Sequence, residues 1–226
     1  MSAWLCTSPN EEGGYGAKLS TPAEAAEHCI VTNAAHAMDP ECKICMQILH
    51  SETLAQSPNA VVPPAVRSRL SPLTPAALDD AGIDKQLDDF ARCARMAKFT
   101  GYDGVEVIGS AGYLLSTFLL EKTNRRDDHW GGSYKNRMRF PLEVITRIRA
   151  EAGDEFILIF RIAAMDMLPE GLSWDEVVTL AQRIEGAGAD IISTHFTWHE
   201  AAVPTIAAMV PRAAFASVTG RLRKYL

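Results

Sequence analysis

The apolar positions along the chain fall into short continuous runs and longer stretches with helical spacing. The continuous runs lie at residues 43–50, 105–108, 156–162 and 191–194, and each predicts a buried strand. Between these runs, apolar residues recur every three or four positions, which predicts amphipathic helices. Buried strands that alternate with helices are typical of a parallel sheet covered by helices, so the sequence predicts an α/β fold.

Two helix starts carry clear capping signals. Thr21 is followed by Pro22 and Glu24, and Ser173 is followed three residues later by Glu176. Both patterns are capping boxes, in which the two side chains bond each other's backbone N–H groups. Two more helices are predicted after residue 80 and from about residue 136 to residue 152.

The remaining stretches predict little regular structure. Residues 1–19 look irregular, and several prolines in residues 51–75 predict an extended loop. We therefore expect an irregular segment at residues 1–19 and one domain at residues 20–226.

Composition narrows the classes of function. The net charge of -6 argues against a nucleic-acid partner. No run approaches the roughly 18 apolar residues of a membrane span, so no membrane partner is expected. The N-terminus lacks the features of a targeting peptide, and five cysteines do not suggest a disulfide framework. A reducing compartment is expected, with the cytoplasm favoured and mitochondria as the alternative.

Polar residues gather directly after the predicted strands, at His50, residues 109–113 and residues 194–200. Barrels of the (β/α)8 class place their active sites at this end of the strands. Gln47 lies inside a strand, where its amide either pairs with backbone or is presented to a polar ligand; spacing alone favours the first. Cys42 and Cys45 lack a second cysteine pair, so a buried structural pair is expected and no metal site.

Several short blocks of residues follow one another along the chain. They are Gln47-Ile48-Leu49-His50, Gly104-Val105-Glu106-Val107, Gly112-Tyr113-Leu114, Asn124-Arg125-Arg126, Trp130-Gly131-Gly132-Ser133, Asn136-Arg137-Met138-Arg139-Phe140 and Phe160-Arg161. In sequence and order, these blocks closely resemble the FMN barrel of the old yellow enzyme family. Two later blocks, Trp198-His199-Glu200 and Pro204-Thr205-Ile206, resemble the bacterial-type 2,4-dienoyl-CoA reductase branch of that family.

The resemblance implies a role for four residues in a flavoenzyme. Gln47 matches the glutamine that bonds the flavin pyrimidine edge, and Arg161 matches the arginine that faces flavin N1 and O2. Tyr113 matches the proposed proton donor to a dienoyl thioester, and His199 matches its partner. The implied reaction passes hydride from reduced FMN to an enoyl- or dienoyl-CoA, as in fatty-acid β-oxidation, with NADH or NADPH as the reductant.

Each role has a structural alternative. Tyr113 could pack at a helix start, His199 could cap a strand end, and Arg161 could pair with Glu106. The resemblance favours the functional role for all four residues, least strongly for His199. We also expect three arginines to hold the loop and the helix together and not to touch substrate, namely Arg125, Arg126 and Arg137. His129 and His195 are expected to be structural or exposed.

The sequence departs from the family pattern at the expected substrate side. Other old yellow enzymes place two ligand-binding histidines where Ile108 and Ala111 stand. The family's Gly-Arg-Tyr is replaced by Ser51-Glu52-Thr53, which exchanges a cation for an anion. Ala202 stands where the branch often has an arginine. The loss of the histidine pair is consistent with the dienoyl-CoA branch, although that branch often has an acid where Ala111 stands. Glu52 instead supports an activity that is lost or depends on a partner.

The resemblance also implies a partial TIM barrel, covering about strands 3–6 with their helices. The FMN phosphate site and the 4Fe-4S, FAD and NAD(P)H segments of the full reductase are not expected in this sequence. Such a piece would have open edges at the strands of residues 43–50 and 191–194. Besides the enzyme, we therefore consider a non-catalytic fragment that pairs with itself or with a homologous full-length barrel. A half-barrel that binds sugar phosphates is a third, disfavoured alternative.

Overall fold

A computed structural model describes residues 6–9, 17–51, 61–63, 74–203 and 210–226. Its strands are β1 (Cys6–Ser8), β2 (Ala17–Lys18), β3 (Cys45–Ile48), β4 (Val61–Val62), β5 (Ala76–Ala77), β6 (Gly104–Gly109), β7 (Ile157–Met165) and β8 (Ile191–Phe196). Six of them form one sheet in the order β2-β1-β3-β6-β7-β8, and β4 pairs with β5. All these pairings are parallel, as the continuous apolar runs predict.

The helices connect and cover the main strands. They are α1 (Pro22–Met38), α2 (Asp80–Phe99), α3 (Leu114–Leu119), α4 (Tyr134–Arg137), α5 (Arg139–Ala152), α6 (Trp174–Gly186) and α7 (Ala216–Leu222). Helix α2 connects β3 to β6, α5 connects β6 to β7, and α6 connects β7 to β8. The four predicted strands are thus present as β3, β6, β7 and β8, and the α/β fold class is confirmed.

Local capping explains where two helices begin. The Thr21 hydroxyl accepts the Glu24 N–H, and the Glu24 carboxylate accepts the Thr21 N–H at 3.0 Å. Ser173 and Glu176 make the same reciprocal contacts at the start of α6. Both predicted capping boxes are confirmed. The single helix predicted from about residue 136 is instead two helices, α4 and α5, which meet at Met138.

The sheet has one fully buried face and one face that is less buried. Side chains alternate along each strand, and those on the fully buried face pack under the helices in one continuous core. The opposite, inner face carries both polar and apolar side chains, most of them half-buried. The fully or almost fully buried strand residues on the helix side are Met46, Ile48, Val105, Val107, Leu158, Phe160 and Ile162.

The N-terminal segment corrects two expectations. The prediction of irregular structure over residues 1–19 is wrong where the structure describes them, because residues 6–8 and 17–18 are strands of the main sheet. Strand β1 pairs with β3, so β3 is an inner strand and not the predicted edge. In the described part of the chain, the sheet ends at β2 on one side and at β8 on the other. The second predicted edge is therefore confirmed.

Some expectations concern residues outside the described ranges, namely Glu52, Thr53, the block Pro204-Thr205-Ile206 and most of the proline-rich loop.

Cys42 and Cys45 are free thiols and half-exposed, so the buried pair predicted from their spacing is wrong. No three acidic, histidine or cysteine side chains within the described residues group as a metal site. Over the same ranges, no helix has the length and apolarity needed to cross a bilayer.

Candidate active site

A row of polar side chains crosses four neighbouring strands on the inner face of the sheet. Gln47 on β3 lies directly opposite Glu106 on β6, and Arg161 on β7 lies directly opposite Ser193 on β8. Because strand residues alternate between faces, these four side chains point to the same side as one another and away from the helix-covered core.

Glu106 connects the row. The Gln47 amide nitrogen donates to the Glu106 carboxylate at 2.5 Å, and the Arg161 guanidinium lies 3.5 Å from the same carboxylate. Arg161 also donates to the Ser193 hydroxyl at 3.0 Å. The alternative that Arg161 pairs with Glu106 is therefore present in the structure. The Arg161 side chain keeps 30% of its surface exposed, so the pairing leaves this cation accessible from the inner face.

Tyr113 and His199 form a second group at the carboxyl ends of the strands. The Tyr113 phenolic oxygen lies 2.9 Å from Nε2 of His199, and the two rings meet edge to face. Tyr113 is the N-cap residue of α3 but makes no side-chain cap bond there. The structural alternatives were that Tyr113 packs at a helix start and that His199 caps a strand end. Both agree with the positions of the residues, since Tyr113 begins α3 and His199 follows β8. Neither alternative accounts for the contact between the two side chains.

The backbone brings these two residues together. Ala111 and Trp198 form a parallel β-bridge, and the His199 N–H donates to the Ala111 carbonyl at 3.3 Å. Gly112 has φ +99°, a conformation that residues with a Cβ rarely adopt, and a Cβ at this position would lie 3.0 Å from the Trp198 ring. The turn after β6 and the segment after β8 are therefore held in contact by main-chain groups.

Asp166 anchors Trp198 from the end of β7. The indole Nε1–H donates to one carboxylate oxygen at 2.5 Å, and the Leu172 N–H donates to the other at 2.9 Å. Burial raises the pKa of Asp166 above its ordinary value, although the two hydrogen bonds act in the opposite direction. Asp166 was not predicted as a site residue, because its only signal in the sequence is a lone acid after an apolar strand.

Strained backbone is concentrated at the same end of the sheet. Ala111, Met167 and Thr197 all have positive φ, at 66°, 54° and 71°, and none of them is glycine. Such conformations persist where the surrounding structure holds them, and they cluster at functional sites. They follow β6, β7 and β8, which is the end where the sequence predicts the site.

Burial favours the neutral form of two histidines in this region, His199 and His195. Burial lowers the pKa of His199 below its ordinary value. For His195, burial and then the nearby Arg161 charge lower the pKa to about 4. His195 is buried on the inner face, and its Nδ1 has no hydrogen-bond partner among the described residues. It thus lies in the site region, where the sequence analysis assigned it no role.

The structure therefore groups the four predicted site residues in two pairs. Tyr113 contacts His199, while Gln47 and Arg161 meet through Glu106. Two of the three predicted structural arginines are accounted for, because Arg126 bonds Asp128 and two carbonyls, and Arg137 bonds Glu121, Glu176 and two carbonyls.

The chain is similar to known proteins in sequence and in fold. A metal reductase of Desulforamulus reducens is 40% identical over 157 residues, covering 70% of this chain and 24% of that protein. A solved 2-naphthoyl-CoA reductase in complex with 2-naphthoyl-CoA superimposes with a TM-score of 0.87 and 26% identity, over 97% of this chain and 36% of that one. An old yellow enzyme homologue from Zymomonas mobilis shares the fold, with a TM-score of 0.80 and 22% identity over 98% of this chain and 65% of that one.

These relatives are longer proteins. The chain spans about a quarter of the length of the curated relatives it matches first, at 24%, 22% and 26%. Its fold corresponds to part of the barrel of the solved neighbours, which confirms the expected partial barrel. The family described as NADH:flavin oxidoreductase / NADH oxidase matches over residues 10–225. The chain belongs to this family of flavin-dependent NAD(P)H oxidoreductases, which includes the old yellow enzymes.

Proposed function

We propose that the chain carries the central part of an FMN-dependent NAD(P)H oxidoreductase that reduces a carbon–carbon double bond conjugated to a carbonyl group. The preferred substrate class is an enoyl or dienoyl thioester of coenzyme A. The observation that carries the proposal is the contact of 2.9 Å between Tyr113 and His199 beside the polar inner face. This contact places a proton donor next to a second polar group. A ligand bound on the inner face would lie close to both side chains.

Two side chains of the inner face have the chemistry to hold the flavin ring of FMN. Gln47 provides an amide for the pyrimidine edge, and Arg161 provides a cation that is accessible from the inner face. The buried, unpartnered Nδ1 of His195 lies on the same face. When bound, FMN supplies the hydride that is added to the double bond. A fixed cation near its pyrimidine ring favours the reduced, anionic form.

Tyr113 would deliver the proton that completes the reduction. Its phenol is a weak acid, and the neutral His199 imidazole can hold it through Nε2 in either tautomer. When Nε2 carries the hydrogen, the imidazole donates to the phenolic oxygen and stabilises the phenolate left after proton transfer. General acids placed in this way contribute about 10²–10⁴-fold to a rate.

The thioester class rests on two observations. One structural neighbour was solved with 2-naphthoyl-CoA, an aromatic thioester. In addition, Ile108 and Ala111 replace the two histidines that bind ligands in other old yellow enzymes, and both are buried here. A site without these imidazoles needs another proton donor and another contact for the carbonyl oxygen, and the Tyr113–His199 pair can provide both.

The second candidate function is a non-catalytic fragment that associates with a homologous barrel. One observation favours it: Ile191, on the last described strand β8, keeps 48% of its surface exposed. An apolar side chain on an edge strand favours pairing with another chain. The partner would be a second copy or a homologous barrel.

One experiment separates the two functions. The purified chain is mixed with FMN and desalted, and its visible spectrum and its molar mass by light scattering are recorded. A retained flavin band that NADH or NADPH bleaches, and that an enoyl-CoA restores, is the expected result. A colourless protein contradicts the proposed enzyme for this chain. A colourless protein that also co-purifies with a homologous barrel supports the fragment instead.

A further inference from the structure

Glu106 is the one charged residue of strand β6, and it faces inward. Its neighbours Val105 and Val107 point to the helix-covered core, where both are fully buried. The carboxylate is itself largely buried, with 16% of the side chain exposed. A carboxylate in such a position needs hydrogen-bond donors or a cation, because burial disfavours an unpaired charge.

Both contacts of the Glu106 carboxylate go to the residues assigned to FMN. One oxygen accepts from the Gln47 amide nitrogen, and the other lies 3.5 Å from the Arg161 guanidinium. Glu106 therefore lies between the two flavin-facing side chains and contacts each of them. The sequence analysis considered Glu106 only as an alternative partner for Arg161.

The contact with Gln47 decides which way its amide points. A carboxylate can only accept hydrogen bonds, so the NH₂ end of Gln47 must face Glu106. The carbonyl end is then directed away from the carboxylate. Without Glu106, this restriction on the orientation of the amide is lost.

The contact with Arg161 reduces the charge that a ligand on the inner face experiences. An anion 3.5 Å from the guanidinium turns an isolated cation into a dipole, whose field falls off more steeply with distance. The reduced flavin is more negative than the oxidised one, so it responds more strongly to this field. The carboxylate thus opposes the stabilisation of reduced flavin that Arg161 provides.

We infer that Glu106 is a positioning residue for the flavin, which orients the Gln47 amide and offsets part of the Arg161 charge. The inference rests on the proposed function, because it concerns FMN on this face. It assigns Glu106 no contact with the substrate. It predicts that the residue controls the ratio of the affinities for reduced and oxidised FMN.

The test uses the full chain and three variants. FMN affinity is measured by fluorescence quenching, and the midpoint potential of bound FMN by equilibration with a reference dye. Glu106→Gln removes the charge but keeps an oxygen that can accept from Gln47. We expect the ratio of the affinity for reduced FMN to the affinity for oxidised FMN to rise about tenfold. For a two-electron couple, this corresponds to a rise of about 30 mV in the midpoint potential. Binding of oxidised FMN should change by less than about threefold.

Glu106→Asp is the complementary variant, because it keeps the charge and shortens the side chain by one methylene group. It should leave the affinity ratio within about twofold of the wild-type value and weaken FMN binding, since the carboxylate no longer reaches Gln47. Glu151→Gln is the matched control. Glu151 lies on α5 at the outer surface, where it pairs with Arg95, and the variant should change neither quantity.

The outcomes separate this inference from the proposed function. A wild-type chain that retains no FMN contradicts both. A wild-type chain that binds FMN, with an unchanged potential in Glu106→Gln, contradicts only the role of Glu106. If circular dichroism shows that Glu106→Gln does not fold, the test rests on Glu106→Asp, which keeps the charge. A midpoint potential of Glu106→Asp that shifts by about 30 mV, the shift expected for removal of the charge, contradicts the inference.

Discussion

The phenolic oxygen of Tyr113 lies 2.9 Å from Nε2 of His199, although the two residues are 86 positions apart in the chain. Tyr113 follows β6 and His199 follows β8, and the end of β7 lies between them. Asp166 at that end holds Trp198, the residue next to His199. The contact therefore depends on three strand ends at once, and it is sensitive to changes in any of them.

Removing the Tyr113 hydroxyl should slow only the step that needs its proton. We expect Tyr113→Phe to lower the rate of enoyl-CoA reduction by about 10²–10⁴-fold, the range for a lost general acid. Reduction of bound FMN by NADH or NADPH should keep its rate, because that step requires no proton from Tyr113. Stopped-flow absorbance measures the two half-reactions separately. Tyr225→Phe, at an exposed phenol, is the control. Equal losses in both half-reactions would argue against the assignment.

Tyr113 and His199 should act as one unit. If His199 works through the Tyr113 oxygen, its loss matters little once that oxygen is gone. We therefore expect the double variant Tyr113→Phe with His199→Ala to be about as slow as the slower single variant. Single-turnover rates of all four proteins form the cycle. Losses that multiply would mean that the two side chains contribute independently.

Gly112 should tolerate no side chain. A Cβ there would lie 3.0 Å from the Trp198 ring, and the backbone has φ +99°. We expect Gly112→Ala to lower the free energy of unfolding by about 1–3 kcal/mol. Gly186→Ala is the matched control, because Gly186 ends α6 and a Cβ there meets nothing within 4 Å. It should be neutral or stabilising, by up to about 1 kcal/mol. Chemical denaturation compares them, and similar losses in both would contradict the reason given.

His50 should make the fold sensitive to acid. Burial lowers its pKa from 6.5 to about 3. The nearby Asp89 charge has a smaller effect that raises the pKa, and the Lys85 charge has a smaller effect that lowers it further. Between these values the unfolded chain binds a proton that the folded chain does not. The free energy of unfolding should therefore fall as pH drops from about 6.5 to about 3, by at most about 1.4 kcal/mol per pH unit for one group. His195, with its pKa lowered to about 4, acts in the same direction.

Substitution isolates this contribution. Neither ring nitrogen of His50 has a hydrogen-bond partner in the described part of the chain, so His50→Leu breaks no observed side-chain bond. It should flatten the dependence of the denaturation midpoint on pH. His129→Leu, at an exposed histidine, should leave that dependence unchanged. An unchanged slope in His50→Leu would show that His50 is not the group responsible.

Several elements could be predicted because their causes are local. The capping boxes at Thr21 and Ser173 each depend on residues three apart, and both formed as predicted. The four apolar runs were long enough to identify their strands. Strands β1 and β2 were missed because they contain three and two residues, too few to show a pattern. Their stability comes from pairing with distant parts of the sheet.

The candidate site could likewise be predicted only in part. The blocks around Gln47, Tyr113, Arg161 and His199 identified the residues, and their roles remain predictions. The sequence did not predict that Glu106 contacts Gln47 and Arg161 together. That arrangement depends on the relative register of three strands, which no single segment encodes.

The amino-acid sequence by itself determined the α/β class, the order of the main strands and helices, and the family. These follow from local periodicity, capping and motif blocks that each lie within a short segment. Only the tertiary structure decided that β1 pairs with β3, that Glu106 connects Gln47 to Arg161, and that Tyr113 meets His199. Such contacts join residues from different strands, and their geometry arises only when parallel pairing aligns the strand ends and the helices bury the opposite face.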